Sequence, residues 1–100
     1  MQKDAVIFRK DKKSGEIYAL FPYLVDNYDG YVATYQHVGQ HSQGDLQHCI
    51  RTSVLAKEEE YRDLKSELES IGYKLDIRKR LQYGKYLEAL LALRSSKQTI

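Results

Sequence analysis

Apolar residues in this chain recur at strand spacing up to residue 54, at helix spacing from Lys57, and at strand spacing again from Tyr73. A strand repeats every two residues and a helix every 3.6 or so. The switching therefore demands a mixed fold with its strands concentrated early. Residues 5–10 (AVIFRK) and 17–21 (IYALF) are short runs rich in β-branched and aromatic side chains. The polar residues 11–16 between them, with a late Gly15, suit a hairpin loop with that glycine at positive φ. Pro22 cannot donate to a ladder and is expected to end the second strand. After a turn signal at 26–30, residues 31–37 (YVATYQH) alternate as a third strand, and 38–45 read as a loop. Residues 47–54 (QHCIRTSV) suit a fourth strand.

From Lys57 to Ile71, Tyr61, Leu64, Leu68 and Ile71 share one helix face. Glu58, Glu59 and Glu60 occupy the first turn, where the helix dipole favours acids, and Gly72 stands where a left-handed cap belongs. Residues 73–81 (YKLDIRKRL) return to alternation, with Tyr73, Leu75 and Ile77 on one side and Lys74, Asp76, Arg78 and Arg80 on the other. A last helix is predicted over 83–94, burying Leu87, Leu90 and Leu91 with Tyr86 and Leu93 at its margins. A frayed tail follows at 95–100. The predicted order is β-β-β-(β)-α-β-α. It describes a single small α+β domain over 1–94, a mainly antiparallel sheet with two helices packed on one face. The expected core comprises Phe8, Leu20, Leu64, Leu68, Leu75, Ile77, Leu87 and Leu90.

One hundred residues suffice for one modest core without disulfides or metal. The only cysteine, Cys49, has no partner for an intramolecular disulfide. With no signal-peptide pattern and no apolar run long enough for a bilayer, this gives a cytoplasmic expectation. Nine tyrosines against two phenylalanines and no tryptophan suit a small core with a wet edge. Net charge is only +2, but it is unevenly spread. Residues 21–50 hold three acids and no Lys or Arg, while residues 73–100 hold seven Lys or Arg against Asp76 and Glu88. A basic C-terminal third attracts phosphate or acidic partners, although solvated faces would give the same count.

The densest group of polar side chains is Tyr35-Gln36-His37-Val38-Gly39-Gln40-His41. Its imidazoles and carboxamides can close a loop on themselves, with Gly39 supplying positive φ. The same groups can present a recognition edge, so Tyr35, His37, Gln40 and His41 are the candidate partner-binding residues. Zinc chemistry would draw on His37, His41, His48 and Cys49, but these lack the tight paired spacing of a zinc site, and no metal or other cofactor is expected. A thiol–imidazole pair on Cys49 would need an exposed, low-pKa cysteine, which sequence does not show.

The strings Val6-Ile7-Phe8-Arg9-Lys10, Ile17-Tyr18-Ala19-Leu20-Phe21-Pro22, Tyr35 to His41, Glu59-Glu60-Tyr61 and Glu67 to Tyr73 resemble a set of small proteins of bacteria, phages and mobile elements. The resemblance spans roughly residues 5 to 80 and rests on the combined ALFP and QHVGQH motifs. That family has no assigned activity, so the resemblance implies a phage- or plasmid-type setting and no catalytic residue. Ser42 stands where its pattern has glycine, and Lys57 where it has proline.

The expectation for function is thus a small accessory module, not an enzyme, docking on a protein partner through residues 35–41. One alternative is a nucleic-acid-binding module using Lys74, Arg78 and Arg80 on the basic strand, with Tyr31 and Tyr35 as a stacking platform. Another is a small metal-dependent or Cys/His enzyme at His37, His41 and Cys49.

Overall fold

Strands β1 (Asp4–Asp11) and β2 (Ile17–Val25) form an antiparallel hairpin in which Ile7 pairs with Leu20 and Lys10 with Ile17. The Asp11 carboxylate accepts the backbone N–H groups of Lys13 and Ser14 at 2.8 and 2.9 Å, and Gly15 takes φ +75°. These bonds hold the Asp11 carboxyl below the usual carboxylate range. A computed structural model describes residues 3–27, 29–36 and 40–98, with the backbone alone for 40, 41 and 96–98.

Pro22 does not end its strand. β2 continues to Val25, and the register against β3 (Tyr31–Gln36) slips between Phe21 and Val25. A residue with no N–H is tolerated where the ladder is already irregular. β4 (Gln40–Asp45) pairs with β3 along its whole length, from Tyr31 with Asp45 to Gln36 with Gln40. A strand therefore occupies most of the span predicted as a loop.

A helix replaces the expected fourth strand. α1 (Leu46–Arg51) starts at Asp45, whose side chain accepts the His48 N–H, and the three-residue β5 (Ser53–Leu55) follows. α2 (Glu58–Ser70) matches the predicted helix to within a residue at each end. The Glu60 carboxylate accepts the Lys57 N–H at 2.9 Å, closing the helix start without a proline. β6 (Leu75–Ile77) is shorter than its alternating pattern, and α3 (Tyr83–Gln98) continues past the predicted end at 94.

The sheet runs β4-β3-β2-β1-β5, with β6 also on β1. β6 is parallel to β1 at Asp4–Val6 and β5 antiparallel at Arg9–Asp11, so the two short strands divide one edge of β1. Alternate residues explain the division. The Asp4 N–H donates to Lys74 O, the Val6 carbonyl accepts from Arg78 N, and the Phe8 carbonyl accepts from Ala56 N.

As predicted, the chain is a single α+β domain built on a mainly antiparallel sheet. The helices, however, cover both faces. Val6, Phe8, Ala19, Phe21 and Tyr35 pack against Leu64 and Leu68 of α2. Tyr18, Leu20 and Val32 pack on the other face against Leu46 of α1 and Tyr86 and Leu90 of α3. Five consecutive buried residues, Tyr18 to Pro22, require a covered sheet on both sides. Phe8, Leu20, Leu64, Leu68 and Leu90 are buried as expected. Leu75 is half-buried, while Ile77 (36% exposed) lies on the divided edge and Leu87 (38%) faces away from the sheet. No helix among the described residues is long and apolar enough to cross a membrane.

A candidate anion-binding cleft

The parallel pairing of β6 with β1 gathers the basic residues of two distant segments. Arg78 leaves β6 with its N–H donated to Val6 O at 2.8 Å. The chain then turns through Lys79 and Arg80 to α3, whose first turn is held by Gln82. The Gln82 N–H donates to the Tyr23 hydroxyl at 2.9 Å, while its carbonyl accepts from Lys85 and Tyr86. Between this turn, the start of β1 and the end of β2 lies a half-open cleft of about 600 Å³.

Lys3, Arg78, Lys79, Arg80 and Lys85 line the cleft against only two acids, Asp4 and Asp76, a surplus of three positive charges. Asp76 is already engaged, its Oδ2 accepting from the Arg78 guanidinium at 2.8 and 2.9 Å. That bond holds the Asp76 carboxyl below its usual range, helped by the charges of Lys3 and Lys85, and raises the Arg78 guanidinium. Lys85 Nζ stands 6.0 Å from the centre of the Tyr23 ring. Lys3, Lys79 and Arg80 form no ion pair among the described residues. The cleft can therefore neutralise an anion with cations that no carboxylate has claimed.

Of the predicted basic residues, Arg78 and Arg80 meet in this cleft. Lys74 lies outside its lining, at the other end of β6. The predicted stacking pair does not join them. Tyr35 is buried (1% exposed), packs in the core beside α2 and donates its hydroxyl to the Glu67 carboxylate. Burial removes it from any platform for bases. Tyr31 is exposed, but β1 and β2 separate β3 from β6, three strand spacings or about 14 Å. His37 lies outside the described residues, as do the side chains of Gln40 and His41.

His48 and Cys49 sit on α1, the histidine exposed and the cysteine half-buried. Burial pushes the Cys49 thiol up, which disfavours the thiolate a nucleophile or metal ligand requires. Among the described residues no group of three His, Cys, Asp or Glu could hold a metal ion. Lys79 stands in the RKR run of the sequence, but no local pattern marks Lys3, Lys85 and Tyr23. Only the parallel β1–β6 pairing and the bond from Gln82 to Tyr23 reveal them. No family model, curated protein or solved structure matches the chain.

Proposed function

We propose that this protein is a nucleic-acid-binding module that grips the phosphate backbone in the cleft between β6, the start of β1 and α3. The observation that carries this reading is the convergence of five cations on one half-open cleft with a single uncommitted acid, Asp4. Phosphate is the anion repeated along a polymer, and its neutralisation by such a cluster of cations releases condensed counterions. The contacts are to backbone, so the module binds without a strong sequence preference.

The test is fluorescence anisotropy with labelled DNA and RNA across a salt series. The logarithm of the affinity should fall linearly with the logarithm of salt, by about 0.7 per phosphate contact for a single strand. Arg80→Glu and Lys79→Glu should weaken binding to every sequence alike. Absence of binding to any DNA or RNA at low salt, or unchanged binding by both variants, overturns the reading.

A further inference from the structure

A second cavity, of about 380 Å³, lies on the other side of the β6 end. Its character differs from that of the cleft. Half-buried Tyr61 lines it, with one ring face stacked on the buried Phe8 beneath, ring centres 4.3 Å apart and planes within 7°. Leu55 of β5 and Ile77 of β6 also line it, and both are exposed for residues of their size. The division of the β1 edge creates this groove, because neither short strand covers the surface where the two meet. Arg78 and Lys79 line both cavities, so a charged surface and an aromatic one meet at one dipeptide.

We infer that the ligand is single-stranded nucleic acid, with phosphates in the basic cleft and an unpaired base in the groove walled by Tyr61, Leu55 and Ile77. The inference rests on the nucleic-acid reading above and adds the form of the ligand and the role of the groove. A duplex keeps its base faces inside its own stack and offers phosphates and base edges, leaving the apolar surface of Leu55, Ile77 and Tyr61 without a stacking partner. A single strand turns its bases outward, and every base has an aromatic face suited to such a surface. The groove volume falls within the pocket range of about 300–1,000 Å³ that holds small planar ligands. Charge continuity across Arg78 and Lys79 fixes the order of contacts: the backbone crosses the dipeptide, and the base drops beyond it.

The experiment compares four labelled probes at one low salt concentration: a DNA strand of mixed sequence, the same sequence as RNA, the DNA strand with abasic sites throughout, and the DNA duplex. The strands with bases should bind roughly fivefold or more tightly than the abasic strand, the smallest effect expected for one stacked base. The variant pair Leu55→Thr and Ile77→Thr keeps β-branched or β-compatible side chains on β5 and β6, and Tyr61 stays intact to preserve its packing on Phe8. This double variant, which strips the apolar walls beside Tyr61, should weaken the preference for bases while binding the abasic strand as before, and a thermal melt confirms its fold. Arg80→Glu should weaken all four probes. Equal affinity for duplex, abasic strand and normal strand, or an unchanged preference in the folded double variant, overturns the single-strand inference and leaves the backbone reading intact. Failure of every probe to bind overturns both.

Discussion

Gly30 joins the turn after β2 to the helix on its face. It takes φ +91°, and a Cβ built there would collide with the Tyr86 hydroxyl. That hydroxyl donates to the Gly30 carbonyl at 2.8 Å and is buried. Asn27 shapes the same turn, its Oδ1 accepting the N–H groups of Asp29 and Tyr31. Gly30→Ala meets two penalties together, a left-handed backbone and an obstructed side chain. It should cost roughly 1–3 kcal/mol, the range for strained backbone sites. Tyr86→Phe removes only the hydrogen bond and leaves the carbonyl short of a partner, for about 1 kcal/mol. In Tyr86→Phe the hydroxyl is gone, so adding Gly30→Ala should cost less than it does alone. Urea melts of the two single variants and the double variant measure this coupling directly, and strict additivity would show that the collision does not matter.

At the scale of elements, α3 presents apolar residues around most of its circumference. Tyr86 and Leu90 face the sheet, while Tyr83, Leu87 and Leu91 form a second i, i+4, i+8 row facing outward. Leu90→Ala should cost about 2–5 kcal/mol, as for other buried leucines. Leu91→Ala, at a residue 59% exposed, should stay within roughly 0.5 kcal/mol. Chemical denaturation of the two variants checks the assignment, and equal losses would place the inward face differently. The same ambiguity limited what the sequence could reveal. Two rows with identical spacing cannot be told apart by period, so Leu87 and Leu91 were expected inside. α2 had one such row, at Tyr61, Leu64, Leu68 and Ile71; its position and its core residues Leu64 and Leu68 were legible from it, but Ile71 falls at the C-cap and is 52% exposed. α1 was not legible, because QHCIR holds β-branched and aromatic-like strand formers too short to show any period, and only Asp45 as cap marks its start. Arg78, Lys79 and Arg80 were visible as a basic run, but their meeting with Lys3 and Lys85 depends on a parallel pairing between residues more than seventy positions apart.

In the whole molecule, the central strands are covered on both sides, and carboxylate contacts sit at their margins. Lys10 of β1 meets Glu60 of α2 at 2.7 Å, Asp11 closes the first hairpin, and Asp76 of β6 pairs with Arg78 just beyond the strand. Each of these carboxyls is held below its ordinary value, Glu60 chiefly by the Lys10 ammonium, Asp11 by the Ser14 and Lys13 N–H groups, and Asp76 by the Arg78 guanidinium. A carboxyl with a lowered folded pKa binds fewer protons in the native state than in the unfolded chain near pH 4, so stability rises with pH there. The contribution is complete above the unfolded carboxylate range of about 4 and disappears as pH falls through the lower native values. All three groups are partly exposed, so added salt should shrink the Lys10–Glu60 and Asp76–Arg78 contributions and leave the short Asp11 turn bonds largely unchanged. Thermal melts from pH 7 to pH 2 should therefore show a falling midpoint below about pH 4. The triple variant Asp11→Asn, Glu60→Gln, Asp76→Asn should melt lower than wild type at pH 7 and converge with it at pH 2. A gap between the two proteins that stays constant across the range would mean that these carboxylates act through their shape and not through their charge.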